Sequence, residues 1–206
     1  MLITFEGIDG SGKSTQISLL KEELTKRGLR VEVFREPGGT DVSEMIRGML
    51  LNPEIEIDPI TELLLFSSAR SQLVAEKVLP LLEEDAVVIL DRFYDSTTAY
   101  QGYGRESVPI AQIQQINETA THGLEPDITF YLRLSPKVAA ERTKSFEKDR
   151  MEQSGDTFFE RVYQGFEKLS QTEARFEVID AEKDINTIHS NILNAVTEKL
   201  GKNDTD

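Results

Sequence analysis

Short apolar runs alternate along this chain with longer stretches in which apolar residues return at helical spacing. The short runs are Leu2 to Phe5, Leu29 to Phe34, Ala86 to Leu90, Ile128 to Leu132 and Phe176 to Ile179, and each reads as a strand. Strands interleaved with helices predict an α/β fold with a mostly parallel sheet. The run from Ala86 to Leu90 is apolar on both faces, which suits a central strand rather than an edge. A first helix is expected from Lys13 to Arg27, with Ile17, Leu20 and Leu24 on one face and Gly28 as its stop. Thr40 can cap a second helix carrying Met45, Ile46, Met49 and Leu50. Asp58-Pro59 opens a long helical stretch to about Leu82, with a break expected near Ser67-Ser68. Further helices are expected from Pro109 to Thr121, after Ser135-Pro136, along Phe158, Val162, Phe166 and Leu169, and along Ile185, Ile188, Ile192 and Val196. The charged stretch 147–156 has Met151 as its one apolar anchor and is expected to be a mobile surface segment, and 201–206 a frayed polar tail.

Composition narrows the class. A chain of 206 residues with no repeat or linker reads as a single domain, 1–206. It has no cysteine, no run of apolar residues long enough to span a bilayer and no signal-peptide pattern at Met1, which together fit a cytoplasmic location and no membrane partner. A formal charge of −14 argues against nucleic acid as a partner, because phosphate backbones need a basic face. Any anionic ligand must therefore meet cations gathered locally.

The N-terminal run leads into Gly7, Ile8, Asp9, Gly10, Ser11, Gly12, Lys13, Ser14 and Thr15, the spacing G-x-x-x-x-G-K-S of a phosphate-binding loop. Glycines let the backbone amides approach an anion closely, and the following helix N-terminus adds its dipole. Lys13 is expected at the donor phosphates and Ser14 on Mg²⁺. Asp91, at the end of the buried run, suits the second carboxylate beside that metal. Its neighbour Arg92 points to a second anion beyond the γ-phosphate. An Asn-Lys-x-Asp guanine-specificity loop is missing from the chain, which argues against a GTPase. Phe66 and Arg70 stand at i and i+4 and share a helix face, where they suit either a stacked base with a hydrogen-bonded carbonyl or a core aromatic beside a snorkelling arginine. Arg92, Ser96 and Thr97, and the pair Thr97 and Gln101 at i and i+4, suit either a polar groove or a solvated face.

The set Phe5-Glu6-Gly7-x-Asp9-Gly10-x-Gly12-Lys13-Ser14-Thr15, Arg35-Glu36-Pro37-Gly38-Gly39-Thr40, Phe66-x-x-x-Arg70, Asp91-Arg92 and Ala99-Tyr100-Gln101-Gly102 resembles bacterial thymidylate kinases, a branch of the P-loop nucleoside monophosphate kinases. The resemblance covers nearly the whole chain. It implies a three-layer α/β/α fold with a parallel sheet in the order 2-3-1-4-5, a short lid at about 142–156, and a homodimer. It also implies the reaction, transfer of the γ-phosphoryl of ATP to dTMP with Mg²⁺ to give dTDP and ADP, which feeds dTTP synthesis by de novo and salvage routes. On that resemblance the loop residues Gly7 to Thr15 and Arg142 bind ATP, while Ser14 and Asp91 hold the metal. Asp9, Glu36, Arg47, Phe66, Arg70, Arg92, Thr97, Tyr100 and Gln101 bind dTMP, with Phe66 on the thymine, Arg70 on its O4, and Thr97 and Gln101 on its N3/O2 side. Tyr100 sits against the deoxyribose and Arg35 lies close to the acceptor phosphate. Lys13, Asp91, Arg92, Arg142 and Arg150 are the expected catalytic groups. Gly10 stands where eukaryotic members carry an arginine, so the positive charge is expected from the lid, first from Arg150 and then Arg142; Lys144 and Lys148 are further cations there, and Phe146 falls near a position often basic in relatives. The weaker alternatives are another nucleoside or nucleotide kinase and a nucleotide-binding protein without turnover.

Overall fold

The computed structural model describes residues 1–145 and 148–203; Phe146, the start of the charged stretch at Glu147, and the last three residues of the expected tail lie outside them. Five strands, β1 (Leu2–Glu6), β2 (Val31–Arg35), β3 (Val87–Asp91), β4 (Ile128–Arg133) and β5 (Phe176–Asp180), form one sheet in the order β2-β3-β1-β4-β5. Every adjacent pair is parallel. Strand alternation divides the apolar side chains between two faces. Leu2, Val88 and Leu90 pack with Leu73, Val74, Val78 and Phe93. Ile3, Phe5 and Ile89 join the larger cluster that holds Ile17, Leu20 and Leu24 of α1 (Lys13–Lys26) and Ile188, Ile192 and Val196 of α9 (Ile185–Asn203). Helices therefore cover both faces, and the sheet is the middle of three layers. Register decides where chemistry collects: Asp91 lies opposite both Phe5 and Arg35, so the C-terminal ends of β1, β2 and β3 meet. In open parallel sheets that edge is where ligands bind.

The helices follow the predicted starts. Thr40 Oγ1 accepts from Ser43 N at 3.1 Å and caps α2 (Asp41–Leu51). Asp58 Oδ1 accepts from Ile60 N at 2.9 Å and caps α3 (Pro59–Leu73). Ser67 and Ser68 do not break α3, because both hydroxyls donate back along the helix, to Leu63 O and Leu64 O at 2.8 Å. The irregularity comes later, as a π-helical turn at Val74–Val78 leading into α4 (Leu79–Glu83). Pro80 lies in the first turn of α4 and has no N–H, and the wider turn lets Leu79 N donate to Val74 O instead. A second π-helical stretch, Thr98–Gly104, continues α5 (Tyr94–Thr97) and carries Tyr100 and Gln101. After it come α6 (Ile110–Ala120), α7 (Pro136–Thr143) and α8 (Asp156–Thr172).

Two segments differ from expectation. The described part of the charged stretch, 148–155, is docked: Met151 is buried, Arg150 N donates to Leu51 O at 3.2 Å, and Arg150 Nε donates to Leu50 O at 2.7 Å. The α9 helix extends through Gly201 to Asn203, into the first half of the stretch expected as a polar tail.

Glycine in α8 lets that helix sit closely on the π-helical stretch. A Cβ on Gly165 would stand 2.7 Å from Tyr103 Cδ2 and 3.0 Å from Tyr103 Cβ. Helix propensity alone favours alanine by about 1 kcal/mol. The clash outweighs it, because Tyr103 Cβ cannot swing away. Gly165→Ala is expected to destabilise by about 1–3 kcal/mol in urea unfolding; an unchanged or raised midpoint would show that the contact yields.

Candidate active site

The loop from Gly7 to Gly12 joins β1 to α1 and wraps around its own lysine. Gly7 has φ 133 and Gly12 φ 92, and a Cβ at Gly7 would approach Leu132 O to 2.7 Å, so both positions need glycine. Lys13 Nζ is buried and donates to Gly7 O at 3.0 Å and Ile8 O at 3.3 Å. Ser14 Oγ donates to Asp91 Oδ2 at 3.3 Å, bringing a hydroxyl and a carboxylate together at the mouth of the loop. Arg142 Nη1 reaches across from α7 to Gly10 O at 3.1 Å, and its Nη2 donates to Ala181 O. Beside Ile8 and Asp9 lies a cavity of about 900 Å³, whose far wall includes Lys144 and Lys148.

On the other side of Asp9 is a second pocket, lined by Arg47, Phe66, Arg70, Arg92, Thr97 and Gln101 among others. Arg92 joins the two halves. It sits at φ 71, a backbone cost for a non-glycine residue that turns the chain sharply out of β3. From there its Nη2 donates to Asp9 Oδ1 at 2.8 Å, its Nη1 donates to Ser96 Oγ at 3.1 Å, and its guanidinium lies 5.1 Å from the centre of the Tyr100 ring. Arg47 is anchored by Pro37 O at 2.8 Å, while Arg35 is held at the exposed rim by Glu44.

Arg70 is 2 % exposed, so its hydrogen bonds can be accounted for one by one. Its Nε and Nη2 meet Glu36 Oε2 at 2.8 and 2.7 Å, Nη2 also donates to Thr97 Oγ1 at 2.9 Å, and Nη1 donates to Asn117 Oδ1 at 3.4 Å. Of its five hydrogens, one on Nη1 has no acceptor among the described residues. Thr97 Oγ1, having accepted from Arg70, keeps its own hydrogen to donate. Gln101 Nε2 donates to Glu62 Oε1 at 2.9 Å, which leaves its Oε1 as the acceptor presented to the pocket. Glu36 Oε1 is buried with no partner.

Charge pairing sets the protonation states. Burial alone would raise Asp9, but Arg92 and Lys13 beside it prevail and hold it at about 2. Arg92 is buried too, yet Asp9 and Asp91 keep it firmly charged. Lys13 is held below its ordinary value by burial and then by Arg92. Burial lifts Glu36 above the usual carboxylate range despite Arg70. Glu6, at the end of β1, is pushed to about 8 by burial and by Asp95.

The family model for thymidylate kinase matches residues 5–192. A thymidylate kinase of Prosthecochloris aestuarii is 49% identical over 212 residues, covering 98% of this chain and 95% of its own. One from Thermoanaerobacter sp. is 44% identical and covers 96% of this chain and 98% of its own. The crystal structure of the thymidylate kinase from Ehrlichia chaffeensis superposes with a TM-score of 0.78 at 35% identity, covering 96% of this chain. The chain belongs to the thymidylate kinase family.

Against the positions that the thymidylate kinase resemblance singles out, the structure brings Asp9, Glu36, Arg47, Phe66, Arg70, Arg92, Thr97, Tyr100 and Gln101 to one pocket. Arg150 stands elsewhere. Its Nη1 donates to Glu62 Oε2 at 2.6 Å and its Nε to Leu50 O, so in this arrangement the guanidinium is committed to a buried carboxylate and a helix end instead of the loop. Three residues outside the expected set support the pocket, Glu6, Glu62 and Asn117, and Ser96 lines it. Glu62 lies one turn before Phe66 and two before Arg70, so its spacing already placed it on the same face of α3. Glu6 Oε1 accepts from Phe93 N at 2.8 Å and Ser96 N at 3.3 Å, and Ser96 Oγ donates to Glu6 Oε2 at 2.5 Å, fixing the turn that aims Arg92. No cluster of three or more candidate metal ligands occurs among the described residues.

The position of Glu6 makes stability depend on pH. Its ordinary value is 4.5 and its folded value about 8, so between them the folded chain binds one proton more than the unfolded chain, and stability falls as pH rises. Glu6→Gln mimics the protonated acid and removes that dependence. Between pH 5 and pH 8 the variant is expected to gain on the native sequence in denaturant unfolding, by at most roughly 1.4 kcal/mol for each step of one in pH. A constant difference across that range would mean that Glu6 is ionised in the fold.

Proposed function

We propose that this chain transfers the γ-phosphoryl of ATP to dTMP, giving dTDP and ADP, and so supplies dTTP synthesis by de novo and salvage routes. The observation that carries the reading is the set of hydrogen-bonding groups that line the pocket: a donor at Arg70, an acceptor at Gln101 and a donor at Thr97. This is the complement of a base that presents O4, N3–H and O2, as thymine does. Phe66 supplies the apolar wall for stacking. Arg92 and Arg47 receive the acceptor phosphate, with Arg35 at the rim, and the loop from Gly7 to Thr15 receives the donor phosphates with Lys13.

An oxygen of the dTMP phosphate attacks Pγ as the bond from Pγ to the β-phosphate bridging oxygen breaks, and no side chain has to remove a proton, because the acceptor is already ionised. What the protein supplies is position and charge. Arg92 lies between the two sites with Asp9 as its brace, and can follow the transferring group because its second contact, Ser96, is a neutral hydroxyl. Ser14 and Asp91 are oxygen ligands at hydrogen-bonding distance, which fits Mg²⁺, an ion that keeps most of its shell as water and phosphate oxygens. Mg²⁺ would neutralise charge on the donor phosphates. Arg142, at the rim beside Gly10, suits the ATP side, and Lys144 and Lys148 face the cavity next to Asp9. Asp149, Met151 and Glu152 close the acceptor pocket from above, which supports a lid role for the described residues of 142–156.

A homodimer in the cytoplasm completes the proposal. Val42, Met45 and Met49 on α2, with Ile60 and Leu64 on α3, are exposed large apolar side chains on two helices that pack together, and a second copy is the occupant this self-facing stripe suits. No helix among the described residues is long and apolar enough to cross a membrane.

Two experiments test these assignments. In a coupled assay dTMP is expected to be the preferred acceptor, with Lys13→Ala lowering kcat by a hundredfold or more, about 3 kcal/mol, at nearly unchanged dTMP affinity, and Arg70→Ala mainly raising the KM for dTMP. Faster turnover with AMP, CMP or GMP would reject the reading. Met45→Glu is expected to shift sedimentation from dimer to monomer; an unchanged species would move the interface off α2.

A further inference from the structure

Glu62 is the most heavily engaged carboxylate that the reaction above leaves unused. It is 1 % exposed, and it lies behind the pocket rather than in it. Its Oε1 accepts from Gln101 Nε2 at 2.9 Å and Arg105 Nε at 3.1 Å, and its Oε2 accepts from Arg105 Nη2 at 3.3 Å and Arg150 Nη1 at 2.6 Å. These four bonds, three of them from the two guanidinium groups, occupy both carboxylate oxygens.

We propose that Glu62 is a positioning residue that determines which pyrimidine the pocket accepts, acting through the orientation of Gln101. An isolated glutamine amide can turn over at little cost, exchanging its carbonyl for its amino group. Here it cannot, because the reversed amide would set a carbonyl oxygen against a carboxylate oxygen with no hydrogen between them. Nε2 is therefore fixed on Glu62 and Oε1 on the pocket. A carbonyl in that place accepts from the N3–H of thymine or uracil and meets the lone pair at N3 of cytosine. Arg70 independently opposes cytosine, since its spare N–H would face an amino group at C4. Glu62 thus supplies part of the selection and Arg70 the rest, and both act on the edge of the base.

This inference rests on the pocket being the dTMP site. The test is the ratio of kcat/KM for dTMP to that for dCMP in the native enzyme and in Glu62→Gln. Glutamine at 62 can donate as well as accept, so it permits either orientation of Gln101. The ratio is expected to fall by about tenfold or more, through a raised KM for dTMP with little loss or a gain for dCMP. In a Gln101→Leu background, Glu62→Gln is expected to leave the ratio unchanged, because nothing remains to be oriented. A merely structural role predicts otherwise: equal loss for both substrates, or the same shift with and without Gln101. Either result would overturn the proposal. A native enzyme inactive on dTMP would instead remove the reading of the pocket itself. If Glu62→Gln does not fold, the side-chain amide protons of Gln101 in the unmodified protein decide the question by NMR. They are expected to stay protected from exchange and bonded to Glu62 through saturation with dTMP; contact between them and the base would overturn the proposal.

Discussion

Asp9 and Arg92 meet at 2.8 Å between two cavities, and most of the architecture serves that meeting. Asp9 belongs to the phosphate loop after β1, and Arg92 to the turn after β3. These strands are neighbours only because the chain, having laid down β1, places β2 and β3 on one side of it and β4 and β5 on the other. The register that aligns Phe5 with Asp91 then brings Arg92 N to Phe5 O at 2.9 Å. Glu6, one residue beyond Phe5, holds the same turn from below through Phe93 N and Ser96 N. A positive φ at Arg92 is costly by itself, on the order of 1–3 kcal/mol. It persists because the turn is tied at several points, and the result is a guanidinium aimed at both cavities.

The acceptor pocket solves a different difficulty, that of burying charge while leaving something unsatisfied for a ligand. Arg70 is nearly fully enclosed, and isolated burial of such a cation would be prohibitive. Glu36, Thr97 and Asn117 take most of its hydrogens, and Nη1 keeps one N–H for a ligand. Glu62 balances Arg105 and Arg150 in the same way. Such networks are worth little as stability, since ion pairs replaced by apolar groups often cost nothing. Their use here is directional: each buried group has so few partners left that its remaining valence points at the ligand.

What could be read from the chain divides along the same line. The strands themselves, the loop and the helix starts were legible because they depend on local signals: apolar runs, Gly7 and Gly12, the caps Thr40 and Asp58; the order of the strands in the sheet is non-local and came only with the resemblance. The residues of the acceptor pocket were legible through resemblance, since Phe66, Arg70, Thr97 and Gln101 on spacing alone also suit an ordinary helix surface. The partners of charged groups were not legible. Arg150 sits in a highly charged stretch that reads as solvated, yet Glu62 and the C-terminal carbonyl of Leu50 hold it, and both lie far away in sequence. The break expected at Ser67-Ser68 falls instead at Val74–Val78, where the later Pro80 dictates the hydrogen-bond pattern.

Net charge and site charge oppose one another in this molecule. At −14 overall, the protein repels nucleotides at long range. At physiological ionic strength that field is screened beyond about 8 Å, so a nucleotide approaching the edge of the sheet responds to the groups within that distance. There the cations Lys13, Arg47 and Arg92 stand beside a cavity wall that adds Lys144 and Lys148; carboxylates line both cavities as well, and two of them, Asp9 and Glu36, are paired with arginines. Pairing does not cancel these arginines for a ligand, because each keeps donors outside its ion pair. An acidic protein can in this way hold two polyanions side by side, provided that its few cations are gathered at one edge of the sheet instead of spread over the surface.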